Sequence, residues 1–395
     1  MDDKKNNPSN NALSIMIVGG GSGGHVTPLL AVATALKKMH PKSRLTVVGR
    51  KGENLQEVIE DDSINEVFLI SAGKFRRYHG ESFLTHILDF KTVLLNFRDF
   101  FRVIAGIFQA WHLLRKERPS SIMLKGGFVS VPVGVAARWL KIPYITHDSD
   151  AIPGLANRLT AKHAVYNTTA LPTEAYPYDS SKAIQVGIPL RQEFSKVSKE
   201  DAAEFKKELG INPKDRVLFC MGGGLGAQRL NKSVASISKS LLKRYPELEI
   251  IHVSGKSLFE ETKKLYHQQL QEDLYNRVRI MDFSNDLYKL SGAADVIVSR
   301  AGATSIAEFA LQAKPCVILP NPLLTGGQQT QNAKVLSDNE AAVIIDEDDS
   351  GALERAVYDL LDSPKKCSDL SEKLHRLSQD DSSKKIAELL VKIAN

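Results

Sequence analysis

The hydrophobic and polar positions of this chain alternate between short apolar runs and helical rhythms, in two rounds. In the first round Ile15–Val18, Leu45–Val48, Glu66–Ile70, Ser121–Leu124 and Tyr144–Thr146 read as buried parallel strands, with helical patterns such as Leu29–Met39 between them. A linker-like zone rich in Pro, Ser and Tyr follows at Pro172–Ser181, and the pattern then restarts. Arg216–Met221, Glu249–Val253, Val278–Met281, Val296–Ser299, Cys316–Leu319 and Ala342–Ile345 are the strands of the second round, and a helical run starts at Leu230. Each round opens with a strand that empties into a glycine turn, Gly19–Gly24 in one and Gly222–Gly226 in the other. The prediction is an α/β fold of two doubly wound, Rossmann-like domains facing each other across a cleft, with ligands at the carboxyl ends of the strands. The domains are expected over 14–186 and 187–380. The apolar positions Ile386, Leu389, Leu390 and Ile393 predict a last helix, 384–395, that packs back on the first domain.

One segment departs from this alternation. Phe75–Arg118 is rich in Phe, Leu and Ile, yet its longest stretch free of charge, Val103–Leu114, is too short for a bilayer span of about 20 residues. Basic residues flank it on both sides. Part of it is expected to cover the sheet. The rest, with Phe97, Phe100, Phe101, Phe108 and Trp111 set among Arg98 and Arg102, suits an interfacial surface in which rings enter the acyl boundary and cations meet lipid phosphates.

Composition narrows the class without naming the chemistry. With 395 residues the chain is long enough for two cores, and 43% hydrophobic and 25% charged residues are ordinary for a water-soluble chain. A net charge of +6 favours anionic partners, but no zinc spacing or aromatic-basic motif supports nucleic acid. The widely spaced Cys220, Cys316 and Cys367 read as reduced thiols of a cytoplasmic protein, and the polar opening MDDKKNNPSNNA has no apolar run of a secretion signal. Gly19, Gly21 and Gly24 satisfy G-x-G-x-x-G, a loop whose N–H groups attract anions where a helix begins. A dinucleotide site is disfavoured, since the second strand ends in Gly49-Arg50-Lys51 with no acid for a ribose diol. His25, at the tip of the loop, is a candidate base titrating near neutral pH.

The order of the motifs GGGSGGHVTPLLAVATAL, GGFVSVPVGVAA, HDSDAIPGLANR, VGIPLR, GGGLGAQRLN, SRAGATSIAEFALQAKP and GGQQTQNA resembles that of the MurG-type lipid II synthases, over nearly the whole chain from Ser14. The resemblance implies a GT-B fold and inverting transfer of N-acetylglucosamine from UDP-N-acetylglucosamine to the C4 hydroxyl of the muramoyl sugar of lipid I. The enzyme would work peripherally on the cytoplasmic face of the membrane. It implies His25 as the base, and Ser22, Gly23, Gly24, Arg191, Gly224, Leu225, Gly226, Glu308, Gln328 and Gln329 on the donor side. Gly126, Gly127, Ser130, His147, Asp148, Asp150 and Asn157 would serve the acceptor. No cofactor is required by the sequence, and a divalent cation has no assigned ligands.

Several positions depart from the family pattern. His147-Asp148-Ser149-Asp150 replaces His-Glu-x-Asn, which puts a charge beside the expected acceptor diphosphate and makes a D-x-D triplet. Gly224-Leu225 stands where the family tends to have Ser-Gln, and Ile188 where it has Asn. The alternative reading is a GT-B enzyme that glycosylates another membrane lipid such as diacylglycerol. A nicotinamide oxidoreductase fits less well, because of the two glycine turns in mirrored halves and the missing second-strand acid, and a catalytically lapsed binding protein fits less well because His25, Glu308 and Gln328 are all present.

Overall fold

The computed structural model describes residues 13–20, 23–53, 55–73, 90–224 and 226–395. The first sheet holds β1 (Ser14–Val18), β2 (Arg44–Arg50), β3 (Glu66–Ile70), β4 (Ser121–Leu124), β5 (Tyr144–Asp148), β6 (Tyr166–Thr169) and β7 (Ala183–Gln185), in the order β3-β2-β1-β4-β5-β6-β7. The second holds β8 (Arg216–Met221), β9 (Leu248–Val253), β10 (Val278–Met281), β11 (Val296–Ser299), β12 (Cys316–Ile318) and β13 (Val343–Ile344), in the order β10-β9-β8-β11-β12-β13. Every pairing is parallel. Parallel strands need crossovers and helices on both faces, which is why β1, β4, β8 and β11 are near-continuous apolar runs.

Three sequence expectations are corrected here. The linker-like zone Pro172–Ser181 does not join the two rounds but lies inside the first, within the expected bound at 186, because β7 lies beyond it and extends the first sheet. The first helix begins at Gly23, so the end of the glycine loop is its first turn, and Pro28 lies inside it, where its missing N–H leaves the Gly24 carbonyl without a helical donor. The second-half helix starts at Gln228, two residues before Leu230.

The chain crosses between domains twice, at Val186–Ile188 and at Ser378–Ser382, and the crossings touch. Gly187 has φ +83°, and a Cβ there would collide with Gln379 and the Ser382 hydroxyl, so glycine is required. The Ser382–Ala394 helix then buries Ile386, Ala387 and Leu390 in the first core, against Leu29 and Leu36 of the Gly23–Met39 helix. Phe90–Glu117 is one amphipathic helix of 28 residues. It seats Ala110, Leu113 and Leu114 on the sheet beside the Ser130–Leu140 helix. Gly106 makes this seat possible, because a Cβ there would strike the Ser71 carbonyl oxygen.

Candidate functional site

Strand order reverses between β1 and β4 in one sheet and between β8 and β11 in the other. Loops leaving those strands part in opposite directions and open a crevice at the carboxyl edge. The two crevices face each other and share a cavity of about 550 Å³, lined by Lys125, Ser149 and Asp150 from the first domain. The second domain faces them with Gly222–Gly224, Arg229, Arg300 and Thr304.

The second-domain wall is built to receive an anion. Gly223 and Gly226 have φ +86° and +76°, Gly226 N donates to Gly223 O at 2.9 Å, and a Cβ on Gly226 would collide with the Ser254 carbonyl. Leu225, between them, lies outside the described residues. The turn delivers the chain into the Gln228–Arg244 helix, whose N-cap Ala227 provides no side-chain acceptor. The Ala303–Leu311 helix likewise opens at Gly302 without a side-chain cap. Two sets of first-turn N–H groups therefore lack the usual capping oxygens beside one cavity, where a diphosphate would satisfy them. Sequence reasoning found the first of these termini and missed the second.

A smaller pocket of about 110 Å³ adjoins, lined by Glu308, Arg191, Thr304, Ser305, Gly224 and Phe283–Asn285, and closed by Thr27 from the first domain. Glu308 is 6% exposed. Burial pushes its carboxyl up to about 8 against the pull of the Arg191 guanidinium, and among the described residues no hydrogen bond reaches that carboxyl. Phe283–Asn285, Thr304 and Ser305 were not singled out from the sequence; they follow β10 and β11, which have β9 and β8 between them, and meet because all four strands end at this edge. Gln328 and Gln329 start the Gln328–Asp338 helix, and Gln329, on the wall of the larger cavity, accepts from Asn321 N at 2.9 Å.

In the first domain, Gly23, Gly24 and His25 form the first turn of the Gly23–Met39 helix. Ser22, and the side chain of His25, lie outside the described residues. Thr27, two residues on, reaches the smaller pocket, so this helix opens toward it.

The residues singled out for the acceptor divide into two groups. Ser130 is buried and closes the turn after β4: its hydroxyl accepts from Gly126 N at 3.1 Å and donates to Gly126 O at 2.7 Å. This holds Gly126 and Gly127 at φ +101° and +76°. His147 is fully buried. Thr168 Oγ1 donates to Thr146 O at 2.8 Å, so it accepts from His147 Nδ1 at 3.0 Å, and His147 Nε2 is left to accept from Ser149 Oγ at 3.4 Å. Burial, with Lys125 nearby, holds this imidazole well below its ordinary pKa, so it is neutral. Asn157 Nδ2 donates to His147 O at 2.8 Å. Tyr178 donates to Asp148 at 2.5 Å, and burial raises that carboxyl. Ser130, His147, Asp148 and Asn157 are thus buried, shape the loops from beneath and do not line the cavity.

Asp150 does line the cavity, and it accepts from Asn332 Nδ2 at 3.0 Å. The D-x-D carboxylates therefore serve different partners. Among the described residues no group of three or more His, Cys, Asp or Glu side chains is placed to hold a metal ion.

On the outer face of the first domain, Leu94, Phe97, Phe100, Phe101 and Phe108 project from the Phe90–Glu117 helix, 49–66% exposed. Phe101 meets Phe97 and Phe100 edge-on, at 5.0 and 5.7 Å between centroids. Arg98 and Arg102 each reach the buried carboxylate of Asp99 at 3.2 Å. Trp111 corrects the sequence expectation. It is half-buried against the core below, with the Arg115 guanidinium 4.7 Å over its ring, because its position falls on the sheet-facing side. Among the described residues no helix is long and apolar enough to cross a membrane.

Residues 15–166 match the glycosyltransferase family 28 N-terminal domain and residues 217–390 the glycosyltransferase family 28 C-terminal domain. The chain is 31% identical to a UDP-N-acetylglucosamine–N-acetylmuramyl-(pentapeptide) pyrophosphoryl-undecaprenol N-acetylglucosamine transferase of Borrelia garinii subsp. bavariensis, over 96% of this chain and 97% of that one. It is 35% identical to the enzyme of the same name from Clostridium kluyveri, over 85% of this chain and 87% of that one. The crystal structure of MurG from Acinetobacter baumannii has the same fold, with a TM-score of 0.71 at 23% identity, covering 97% of this chain and all of the other.

Proposed function

The chain belongs to glycosyltransferase family 28, and on that premise we propose a complete assignment of its reaction and site. It transfers N-acetylglucosamine from UDP-N-acetylglucosamine to the C4 hydroxyl of the muramoyl sugar of undecaprenyl-diphosphate-linked MurNAc-pentapeptide, with inversion at the anomeric carbon. The two domains, 14–186 and 187–380, take acceptor and donor respectively.

The observation that carries this reading is the pocket in which Thr27 of the first domain meets Glu308 and Thr304 of the second. The Glu308 carboxyl accepts from the ribose hydroxyls, which give it donors that the described residues around it do not. The diphosphate lies on the Gly222–Gly226 turn and the two uncapped helix starts, and Gln328 and Gln329 offer their amides to the sugar hydroxyls. His25, two residues before the Thr27 that enters the pocket, takes the proton of the acceptor C4 hydroxyl as that oxygen attacks C1. The bond from C1 to the diphosphate oxygen breaks, and its electron pair leaves with UDP. The fixed N–H groups meet the charge that develops there. Gly126, Gly127 and Asp150 form the acceptor wall. The exposed aromatics and the arginines beside them bring that wall to the cytoplasmic membrane surface, where the tethered acceptor resides.

The test is turnover of a short-chain lipid I analogue with UDP-N-acetylglucosamine, read as UDP release and disaccharide formation. His25→Ala is expected to lower kcat by about 10²–10⁴-fold with UDP affinity retained, as for a positioned base. Near-normal turnover in that variant would remove His25 from the chemistry. Turnover with diacylglycerol and none with the lipid I analogue would overturn the acceptor assignment.

A further inference from the structure

We propose that Lys125, which nothing above assigns, is a diphosphate-binding residue that the first domain presents to the cleft. Lys125 follows β4 at the point where strand order reverses, and its N–H donates to Val18 O at 2.8 Å, beside the start of the first glycine loop. Its side chain is 4% exposed, yet it lines the shared cavity opposite Gly222–Gly224 and the uncapped Ala303 helix start. An ammonium has three donors. Among the described residues Nζ makes one hydrogen bond, to Ser149 Oγ at 2.7 Å, and no carboxylate is close enough to pair with it.

The direction of that single bond is fixed from below. Thr146 O takes the Thr168 hydroxyl proton, Thr168 takes the His147 Nδ1 proton, and His147 Nε2 takes the Ser149 proton, which leaves Ser149 Oγ as an acceptor for Lys125. The relay holds the lysine in place while two of its N–H groups remain for a ligand. A buried ammonium with unmet donors is costly without an anion to meet them. Burial lowers the pKa of this lysine, and the negative field of Asp150 and Asp148 at longer range offsets part of that loss, as a bound oxyanion would. The chemistry that fits is an oxyanion of a diphosphate. The inference rests on the transfer reaction proposed above, in which two diphosphates approach this cavity: that of UDP and that of the polyprenyl-linked acceptor.

The experiment compares wild type with Lys125→Met, which keeps the length of the side chain and removes the charge, and with Lys125→Arg. UDP and farnesyl diphosphate affinities are measured by calorimetry, alongside KM for UDP-N-acetylglucosamine and for the lipid I analogue. Loss of a charge-assisted hydrogen bond is expected to weaken one ligand by about tenfold to a hundredfold, with partial recovery in Lys125→Arg. A loss confined to UDP and the donor KM assigns the lysine to the departing diphosphate. A loss confined to farnesyl diphosphate and the acceptor KM assigns it to the acceptor. Unchanged affinities for both in a folded Lys125→Met protein would overturn the proposal.

If Lys125→Met does not fold, wild-type enzyme labelled with [¹⁵N]lysine gives the answer, with the buried ammonium resonance assigned by its loss in Lys125→Arg. A shift of that resonance on adding UDP or farnesyl diphosphate supports the site, and no shift with either overturns it. Both binding readouts stand even if wild type fails to turn over the lipid I analogue, so failure of the reaction assignment is separately visible.

Discussion

Asn332 and Asp150, 182 positions apart, join the two domains across the mouth of the cleft. Asn332 Nδ2 donates to Asp150 Oδ1 at 3.0 Å and to Ala301 O at 3.0 Å, while Ala151 N donates back to Asn332 Oδ1 at 2.9 Å. Asn332 lies one turn beyond Gln328 on the same helix, and Asp150 lies on the acceptor wall. The clasp therefore ties the proposed donor contacts to the proposed acceptor contacts.

Breaking it should cost alignment more than folding. Asn332→Ala leaves a backbone N–H and a carbonyl without partners, a loss of about 1–3 kcal/mol if water does not replace them. Melting should fall by a few degrees for a chain of this size, while kcat/KM for the acceptor drops by about tenfold or more and UDP affinity holds. Asp150→Asn keeps an amide oxygen for Asn332 and should lose little, whereas Asp150→Ala should resemble Asn332→Ala. Equal turnover in the two Asp150 variants would detach the clasp from alignment.

Glu308 gives the enzyme a pH signature. Its carboxyl titrates at about 8 in the fold against an ordinary 4.5. The folded state therefore keeps a proton that the unfolded chain has released between those values, and stability from this group is full below about 4.5 and is lost as pH rises toward 8. The ligand-free melting temperature of wild type should fall across that window relative to Glu308→Gln. UDP binding should reverse the preference, because ribose hydroxyls donate best to the carboxylate. UDP affinity should then rise with pH up to about 8, with proton release visible by calorimetry in buffers of different ionisation enthalpy. Proton-neutral binding at pH 7 would take Glu308 away from the ribose.

The alternation of apolar runs and glycine turns made the architecture legible, since buried parallel strands cannot hide their hydrophobicity. Tyr166–Thr169 was missed because Asn167, Thr168 and Thr169 bury hydrogen-bonded polar side chains, which local pattern does not distinguish from a loop, and Ala183–Gln185 because it is a half-buried edge strand of three residues. The start of the first helix was missed because Gly23 and Gly24 are poor helix formers, overridden there by tertiary context. In the donor half, Glu308 stood out as a carboxylate in an apolar helix. Phe283–Asn285 and Thr304–Ser305 come from two separate strand ends, and no spacing along the chain announces their meeting. On the acceptor side, motif matching picked His147, Asp148 and Asn157 without revealing that they lie beneath the surface they shape. Trp111 looked like its neighbouring phenylalanines until the helix phase placed it on the inner side.

That phase makes the membrane surface testable with side chains that lie outside the buried core. Phe97, Phe100, Phe101 and Phe108 are 63%, 49%, 53% and 65% exposed, and none of them belongs to the core cluster beneath the helix. The quadruple variant should therefore melt within a few degrees of wild type and bind UDP normally. Wild type should sediment with vesicles containing phosphatidylglycerol. The rings supply apolar area, and each basic residue near an anionic leaflet adds about 1 kcal/mol, which salt screens. Arg98 and Arg102 share the one carboxylate of Asp99, so the pair keeps a net positive charge for the lipid. Sedimentation should weaken as salt rises from about 0.05 to 0.5 M, a range over which the screening length shortens several-fold. It should be lost in the quadruple variant, together with most turnover on acceptor embedded in vesicles, while turnover on the soluble analogue persists. A folded quadruple variant that still sediments would place the lipid contact on another face of the first domain.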